Sequence, residues 1–220
     1  MTTNIQNRTK VLLVDDHPIV RRGLAKLLGE RPNIDICGEA DGAAQALDHI
    51  AKDRPDLIII DISLKDVGGI ELIKQIRALD SEIKLMVCSM HDENLYAERV
   101  LQAGALGYVN KETATERIFD AIEQVMAGRV YLSPEMSEQL LSRMVGGEPN
   151  TDKTSIETLS DRELEVFELI GRGLTTRQIA ERLCLSVKTI ETYRENLKIK
   201  LNLTNSPMLI RAAVQWLETR

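Results

Sequence analysis

The stretch Asp56-Leu57-Ile58-Ile59-Ile60-Asp61 constrains this chain more than any other. Four apolar residues, three of them β-branched, run without alternation into a carboxylate. A strand that is apolar on both faces needs cover on both, as in the centre of a parallel sheet. Asp61 then stands where the strand ends and the chain turns. In open α/β sheets ligands bind at that carboxyl edge. Taken alone, Asp61 reads equally well as a strand-ending residue that caps a turn.

The flanking sequence repeats the pattern. Lys10-Val11-Leu12-Leu13-Val14 is an apolar strand running into Asp15-Asp16, and Pro18 suits the first turn of a helix. Ile19, Val20, Leu24, Leu27 and Leu28 recur at helical spacing to about Arg31. Ile34 to Gly38 reads as a second strand, and Asp41 as the N-cap of a helix bearing Ala44, Leu47 and Ile50. After the Asp61 strand, Gly68-Gly69 breaks the chain before a helix with Ile70, Leu72, Ile73 and Ile76. Lys84 to Ser89 is the fourth strand, and Asp92 caps a helix ending near Ala103-Gly104. Gly107-Tyr108-Val109 is the fifth, before Asn110-Lys111 and a helix with Ile118, Ala121, Ile122, Val125 and Met126. Five β/α alternations predict a five-stranded, doubly wound parallel sheet with helices on both faces.

Right-handed crossovers bring all strand C-ends to one edge. Four of those ends carry chemistry: Asp15 with Asp16, Asp61, Ser89 and Lys111. Three carboxylates together repel unless a cation intervenes. A hard divalent ion such as Mg2+ takes carboxylate oxygens. Asp61 can then attack a phosphoryl group as a carboxylate nucleophile. Ser89 can hydrogen-bond one phosphoryl oxygen, and Lys111 can neutralise another. No general-base His accompanies them. His17 reads as a solvated or capping residue, His91 as an exposed loop residue, and Tyr108 alone as core.

These motifs carry a resemblance. Residues 10–127, through VLLVDDHPIVRRGL, DLIIIDISLKDVGGIELI, SMHDE and AGALGYVNKE, resemble a receiver domain of bacterial two-component signalling. The resemblance implies a flavodoxin-like strand arrangement and Asp61 as the phosphoacceptor. It implies that Asp15, Asp16 and Asp61 hold Mg2+, with the Ser63 backbone carbonyl as a further ligand. Ser89 becomes the switch hydroxyl, Tyr108 the switch aromatic and Lys111 the catalytic lysine. Two positions depart from the pattern: Lys65 stands where such domains usually have Pro, and Ser63 is small two residues past the acceptor.

Charge divides the chain. Residues 1–156 hold 18 basic and 25 acidic side chains, a balance of −7, whereas residues 157–220 hold 10 and 9, a balance of +1. Two modules with different partners are expected. The division predicts a receiver over residues 1–130, a linker over 131–156, and a second domain over 157–220. Within the linker, Ser133-Pro134 starts a short helix with Met136, Leu140, Leu141, Met144 and Val145 on one face. Gly146 to Asn150 and the polar run to Ser155 then break it.

In the second domain Ser160 and Glu163 form a capping box before Leu164, Val166, Phe167 and Ile170, and Gly171 to Gly173 ends that helix. Thr175 or Thr176 starts a second helix, Ser186 caps a third, and Ser206 reads as the N-cap of a fourth with Pro207 at its first position. A short helix, a tight turn and a longer helix form a helix-turn-helix within an all-α four-helix domain. The third helix lies in the major groove in such units. It carries Lys188, Thr189, Glu191, Thr192, Arg194, Glu195, Lys198 and Lys200 on its polar side. The same pattern also suits a protein-binding bundle with a solvated face.

LSDRELEVFELIGRGLTTRQIAERLCLSVKTIETYRENLKIKL resembles the LuxR-type helix-turn-helix. With the receiver, it gives the layout of NarL/FixJ response regulators. By matched position, Glu191, Thr192 and Glu195 would face bases, and Lys188, Thr189, Arg194 and Lys198 the phosphate backbone. A basic residue common near Ser206 in relatives is missing.

The expected function is a DNA-binding transcriptional regulator controlled by phosphorylation, not an enzyme with a substrate of its own. A sensor histidine kinase and Mg2+ load Asp61, and the phosphorylated chain binds promoter DNA as a homodimer. The rivals are a phosphoryl-transfer enzyme and a receiver-controlled protein-interaction module without DNA binding. No apolar run approaches the roughly 20 residues of a membrane span. Met1 to Lys10 lacks the apolar core of a signal peptide. Cys37, Cys88 and Cys184 are widely spaced and read as buried free thiols, so a reducing cytoplasm is expected.

Overall fold

The computed structural model describes residues 8–65, 67–145, 156 and 158–218. The chain divides into two compact units, residues 1–145 and 146–220. The first alternates strands and helices: β1 (Thr9–Val14), α1 (Pro18–Gly29), β2 (Ile34–Ala40), α2 (Ala43–Lys52), β3 (Leu57–Ile60) and α3 (Gly69–Leu79). It continues with β4 (Lys84–Ser89), α4 (Glu93–Ala103), β5 (Gly107–Asn110), a single 3-10 turn (Lys111–Thr113), α5 (Ala114–Met126) and α6 (Pro134–Val145).

The sheet order is β2-β1-β3-β4-β5, and every pairing is parallel. All four residues of β3 are buried, as an unalternating strand between two neighbours requires. Val11, Leu13, Leu57, Ile59, Met86, Cys88 and Val109 form one face with Leu24 and Leu28 of α1 and Ile118, Ala121, Ile122 and Val125 of α5. The alternate positions Leu12, Ile58, Ile60, Leu85 and Val87 are equally buried. Each such side chain contributes roughly 1.5–3 kcal/mol of burial. The register sets Val14 beside Ile60 and Ser89 beside Asn110. Asp15, Asp61, Ser89 and Lys111 are thus brought to one edge.

Two local expectations change, and one pairing is added. Asp41 does not cap α2; Gly42 is its N-cap residue, and the Asp41 amide donates to Gln45 Oε1. β2 runs to Ala40, two residues past Gly38. A short pairing follows α5, where Tyr131 bridges Gly107 in parallel and extends the sheet beyond β5.

The short helix expected in the linker is α6, and it lies in the first unit, in contact with α4. Ser133 caps it by accepting from the Met136 amide at 3.1 Å, and Met136 is buried. The Ser133 amide donates to Glu93 Oε1 at the start of α4. The expected break over 146–155 and the side chains of Met144 and Val145 lie outside the described residues.

The second unit holds α7 (Asp161–Gly171), α8 (Thr176–Arg182), α9 (Val187–Lys200) and α10 (Ser206–Glu218). Leu164, Phe167, Ile170, Ile179, Leu183, Ile190, Leu197, Leu209 and Ala213 fill its interior, and Phe167 lies 5.3 Å from Trp216. The Ser160–Glu163 capping box is present. A second box, Thr175 with Gln178, opens α8. At α10 the cap is Asn205 rather than Ser206: its Oδ1 accepts from the Met208 amide at 2.9 Å. Among the described residues no helix is long and apolar enough to cross a membrane.

Candidate functional site

β1 and β3 end side by side, so their terminal carboxylates share one pocket. The Asp61 amide donates to the Val14 carbonyl, which fixes the strand end. Both Asp61 oxygens are engaged. Oδ1 accepts from Ser89 Oγ at 2.7 Å, and Oδ2 accepts from Lys111 Nζ at 2.7 Å. Lys111 Nζ also lies 2.6 Å from Asp15 Oδ2. Asp15, Asp16, Asp61 and Ser89 are all buried. Burial disfavours the ammonium of Lys111, but Asp61 and Asp15 outweigh it and hold its pKa above the ordinary lysine range. Burial pushes the Asp16 carboxyl up, against the opposing pull of His17 and Lys65.

The chain reaches this geometry through a tight return. Gly68 takes a positive φ of 87°, and the Gly69 amide donates to the Ile62 carbonyl. A Cβ on Gly69 would sit 2.1 Å from the Asp61 carbonyl oxygen. The glycine pair therefore lets α3 start directly against the end of β3.

Asp15, Asp16, His17 and Asp61 each offer a ligand atom, all within 4.8 Å of one another. Asp15 Oδ2 and Asp16 Oδ1 are buried without an accepted hydrogen bond. Lys111 Nζ stands 2.6 Å from Asp15 Oδ2, and the His17 ring nitrogen Nδ1 stands 2.6 Å from Asp16 Oδ1. Carboxylate oxygens left in that state fit a hard divalent cation such as Mg2+.

One neighbour carries no expectation from the sequence. Arg21 reaches across from α1, donating from its guanidinium to the Asp15 carbonyl and to Glu39 Oε2. Lys65, where Pro is usual, places Nζ 3.8 Å from Asp16 Oδ2. His91 is not an exposed loop residue. It is buried, its Nε2 is 2.6 Å from Ser63 Oγ, and its carbonyl accepts from the Tyr108 hydroxyl at 2.9 Å. Tyr108 is already inside, and burial drives its hydroxyl pKa well up. His17 is the half-exposed N-cap residue of α1, its side chain making no cap bond. Cys88 is buried as expected, its thiol pushed by burial to about 12, whereas Cys37 is half-buried and Cys184 is exposed.

In the second unit the turn between α8 and α9 passes through Cys184 at φ 51°. Ser186 caps α9 by accepting from the Thr189 amide at 3.0 Å. Ile190 and Leu197 anchor α9 to the interior. At 100° per residue the opposite side carries Lys188, Thr192, Glu195 and Ile199, with Glu191 beside them. Ile199 is 77% exposed, and the sequence reading passed over it. Thr189 and Lys198 lie half-buried on the flanks, and Arg194, also half-buried, lies beside the inward side of Ile190 and Leu197. Burial pulls the Arg194 pKa down. Thr192 Oγ1 donates to the Lys188 carbonyl, and Lys198 Nζ pairs with Glu195 Oε2 at 2.9 Å. Lys188, Glu191, Thr192 and Glu195 thus share the exposed side of α9, whereas Arg194, about 40° around the helix from Ile190, lies next to its inward side.

Known proteins match both units. Residues 11–123 match the response regulator receiver domain, and residues 157–213 match the luxR family of bacterial regulatory proteins. Response regulator GacA of Pseudomonas aeruginosa is 32% identical over 206 residues, covering 94% of this chain and 95% of its own. Response regulator UvrY of Escherichia coli is 32% identical over 205 residues, covering 93% of each. Among solved structures, RcsB from Salmonella enterica serovar Typhimurium, bound to promoter DNA in the presence of the phosphomimetic BeF3-, superposes with a TM-score of 0.63. It shares 27% identity and covers 94% of this chain and 98% of that one. The chain therefore belongs to the NarL/FixJ-type response regulators, which join a receiver domain to a LuxR-family DNA-binding domain.

Proposed function

We propose that this regulator takes a phosphoryl group on Asp61 from a sensor histidine kinase in the cytoplasm, and then binds promoter DNA as a homodimer through α9. The observation that carries the reading is the Asp61 carboxylate held by Ser89 and Lys111 beside Asp15 and Asp16. An Asp61 oxygen attacks phosphorus as the donor's nitrogen–phosphorus bond breaks, giving an acyl phosphate. Asp15, Asp16, Asp61 and the Ser63 backbone carbonyl would hold Mg2+. Bound there, the ion supplies charge neutralisation at the phosphoryl oxygens. Lys111 and Ser89, now on Asp61, follow the new oxygens. The domain assists only its own phosphorylation and dephosphorylation.

A phosphoryl group adds about 1.5–2 negative charges, and Ser89 is the group it displaces. The His91 amide lies 3.5 Å from Ser89 Oγ, and the His91 carbonyl holds Tyr108. A shift of Ser89 is therefore passed to the loop before α4 and to β5. Tyr108 itself already lies inside, so the change lies in that loop and biases two existing states. The boundary between receiver and linker falls at the end of α6 rather than at residue 130 in this reading. In α9, Glu191, Thr192 and Glu195 face bases, and Lys188, Thr189, Arg194 and Lys198 the backbone.

Two measurements test this. Asp61→Asn should abolish label uptake from a small phosphodonor, and surviving label moves the acceptor elsewhere. Duplex affinity should fall as salt rises. Absence of duplex binding at low salt, with and without phosphodonor, leaves the protein-interaction module in its place.

A further inference from the structure

The exposed middle of α9 presents two carboxylates, with the Asn196 carboxamide as the one neutral donor beside them. Glu191 and Glu195 are exposed one turn apart, and Thr192 stands between them. The Thr192 hydroxyl proton is spent on the Lys188 carbonyl, which leaves its methyl and lone pairs outward. The cations sit elsewhere: Lys188 at the helix start, Lys198 on a flank and Arg194 toward the inward side. Among the described residues no hydrogen bond or ion pair engages Glu191, whereas Lys198 shields Glu195 at 2.9 Å.

Two carboxylates brought into a groove lined by phosphates are repelled unless each receives a hydrogen bond there. The major groove offers donors only as exocyclic amino groups, cytosine N4 and adenine N6. Adenine sets its N7 acceptor beside N6, against the second carboxylate oxygen. Cytosine carries no acceptor there. Guanine O6 and thymine O4 are acceptors and repel both glutamates. We infer that Glu191 and Glu195 make this helix a cytosine reader, with Glu191 the stronger discriminator because no cation screens it. The inference rests on the proposal that these residues face bases. Residues four apart rise about 6 Å along a helix, close to two base steps at roughly 3.4 Å each. The two cytosines of a half-site are therefore two steps apart.

The test selects bound duplexes from a random pool with the full chain and a small phosphodonor. Cytosine at two positions two steps apart in each half-site is the expected result. Replacing the more conserved of them by 2-pyrimidinone, which lacks the 4-amino group, should weaken wild-type binding about tenfold. The same replacement should leave Glu191→Ala within about twofold of its own affinity for the unmodified site, since the contact is already gone. Glu191→Ala should also gain affinity for random duplex, because a repelling charge is removed. Selected sites without cytosine there, or an equal loss in both proteins on the analogue, overturns the cytosine assignment and leaves DNA binding intact. Failure to select any duplex overturns the DNA reading itself.

Discussion

The Tyr108 amide donates to the Tyr131 carbonyl at 2.9 Å, and the Tyr131 amide donates to the Leu106 carbonyl at 2.8 Å. The chain leaving α5 is thus hydrogen-bonded to the strand that carries the proposed switch aromatic. Two residues on, Ser133 is tied to Glu93 at the head of α4. Any rearrangement of β5 or α4 is felt at once by the segment leading to α6.

That pairing requires Gly107. A Cβ there would sit 2.9 Å from Val125 Cγ2, 3.4 Å from Met86 Cβ and 3.5 Å from Tyr131 Cβ. Gly107→Ala should destabilise the first unit by about 1–3 kcal/mol through overpacking. Urea denaturation followed by far-UV circular dichroism checks it. An unmoved midpoint would mean that α5 and the Tyr131 segment give way freely.

Gly69→Ala tests the approach of α3 to the acceptor. The new methyl meets the Asp61 carbonyl oxygen at 2.1 Å, a backbone atom that cannot rotate away. The end of β3 must shift, and displacement of reacting groups by ~1 Å costs up to about a hundredfold in rate. Label uptake from a phosphodonor should fall by that order while the circular dichroism spectrum persists. Undiminished uptake would place the adjustment in α3.

The receiver fold and its pocket were legible because apolar runs end in chemistry. Val14-Asp15-Asp16, Ile60-Asp61 and Ser89 each mark where a buried strand reaches the ligand edge. What stayed hidden depends on groups distant in sequence. Arg21 reads as an ordinary helix-surface cation until β2 brings Glu39 beside it. His91 gains meaning only through Ser63, 28 residues earlier. Local capping was half legible, since Asp92, Ser160 and Ser186 cap as read. At α2 and α10 backbone conformation chose a neighbouring residue. On α9 the exposed Ile199 breaks the polar pattern that sequence reading sought.

Mg2+ should stabilise the first unit, because the pocket holds carboxylate oxygens without hydrogen bonds. Ligand at a hundred times its Kd adds about 2.7 kcal/mol. Asp16→Asn should remove most of that increment. It should also make the metal-free chain more stable, since one buried carboxylate charge disappears from beside Asp15 and Asp61. Calorimetry of both proteins with Mg2+ and with a chelator separates the effects. Equal Mg2+ increments in the two would take Asp16 out of the site.

The last prediction concerns the anchor of α9. Glu163 Oε2 accepts from the Ser160 amide at 2.8 Å and from Lys200 Nζ at 2.6 Å, joining the start of α7 to the end of α9. Burial alone would raise the Glu163 pKa, but Lys200 and Ser160 outweigh it, and the carboxyl titrates below its ordinary value of 4.5. A folded pKa below the unfolded one stabilises the unit fully above the unfolded value. That contribution is lost as pH falls through the lower folded value. Glu163→Gln should therefore be less stable than wild type at pH 7, by roughly 1–3 kcal/mol for charge-assisted bonds to a half-exposed lysine. The deficit should shrink as the solution is acidified below 4.5. Trp216, the chain's single tryptophan, packs on Phe167 and reports unfolding of this unit by fluorescence. A deficit independent of pH would show that Glu163 acts through its shape as a cap, and that the charge of Lys200 does not hold α9.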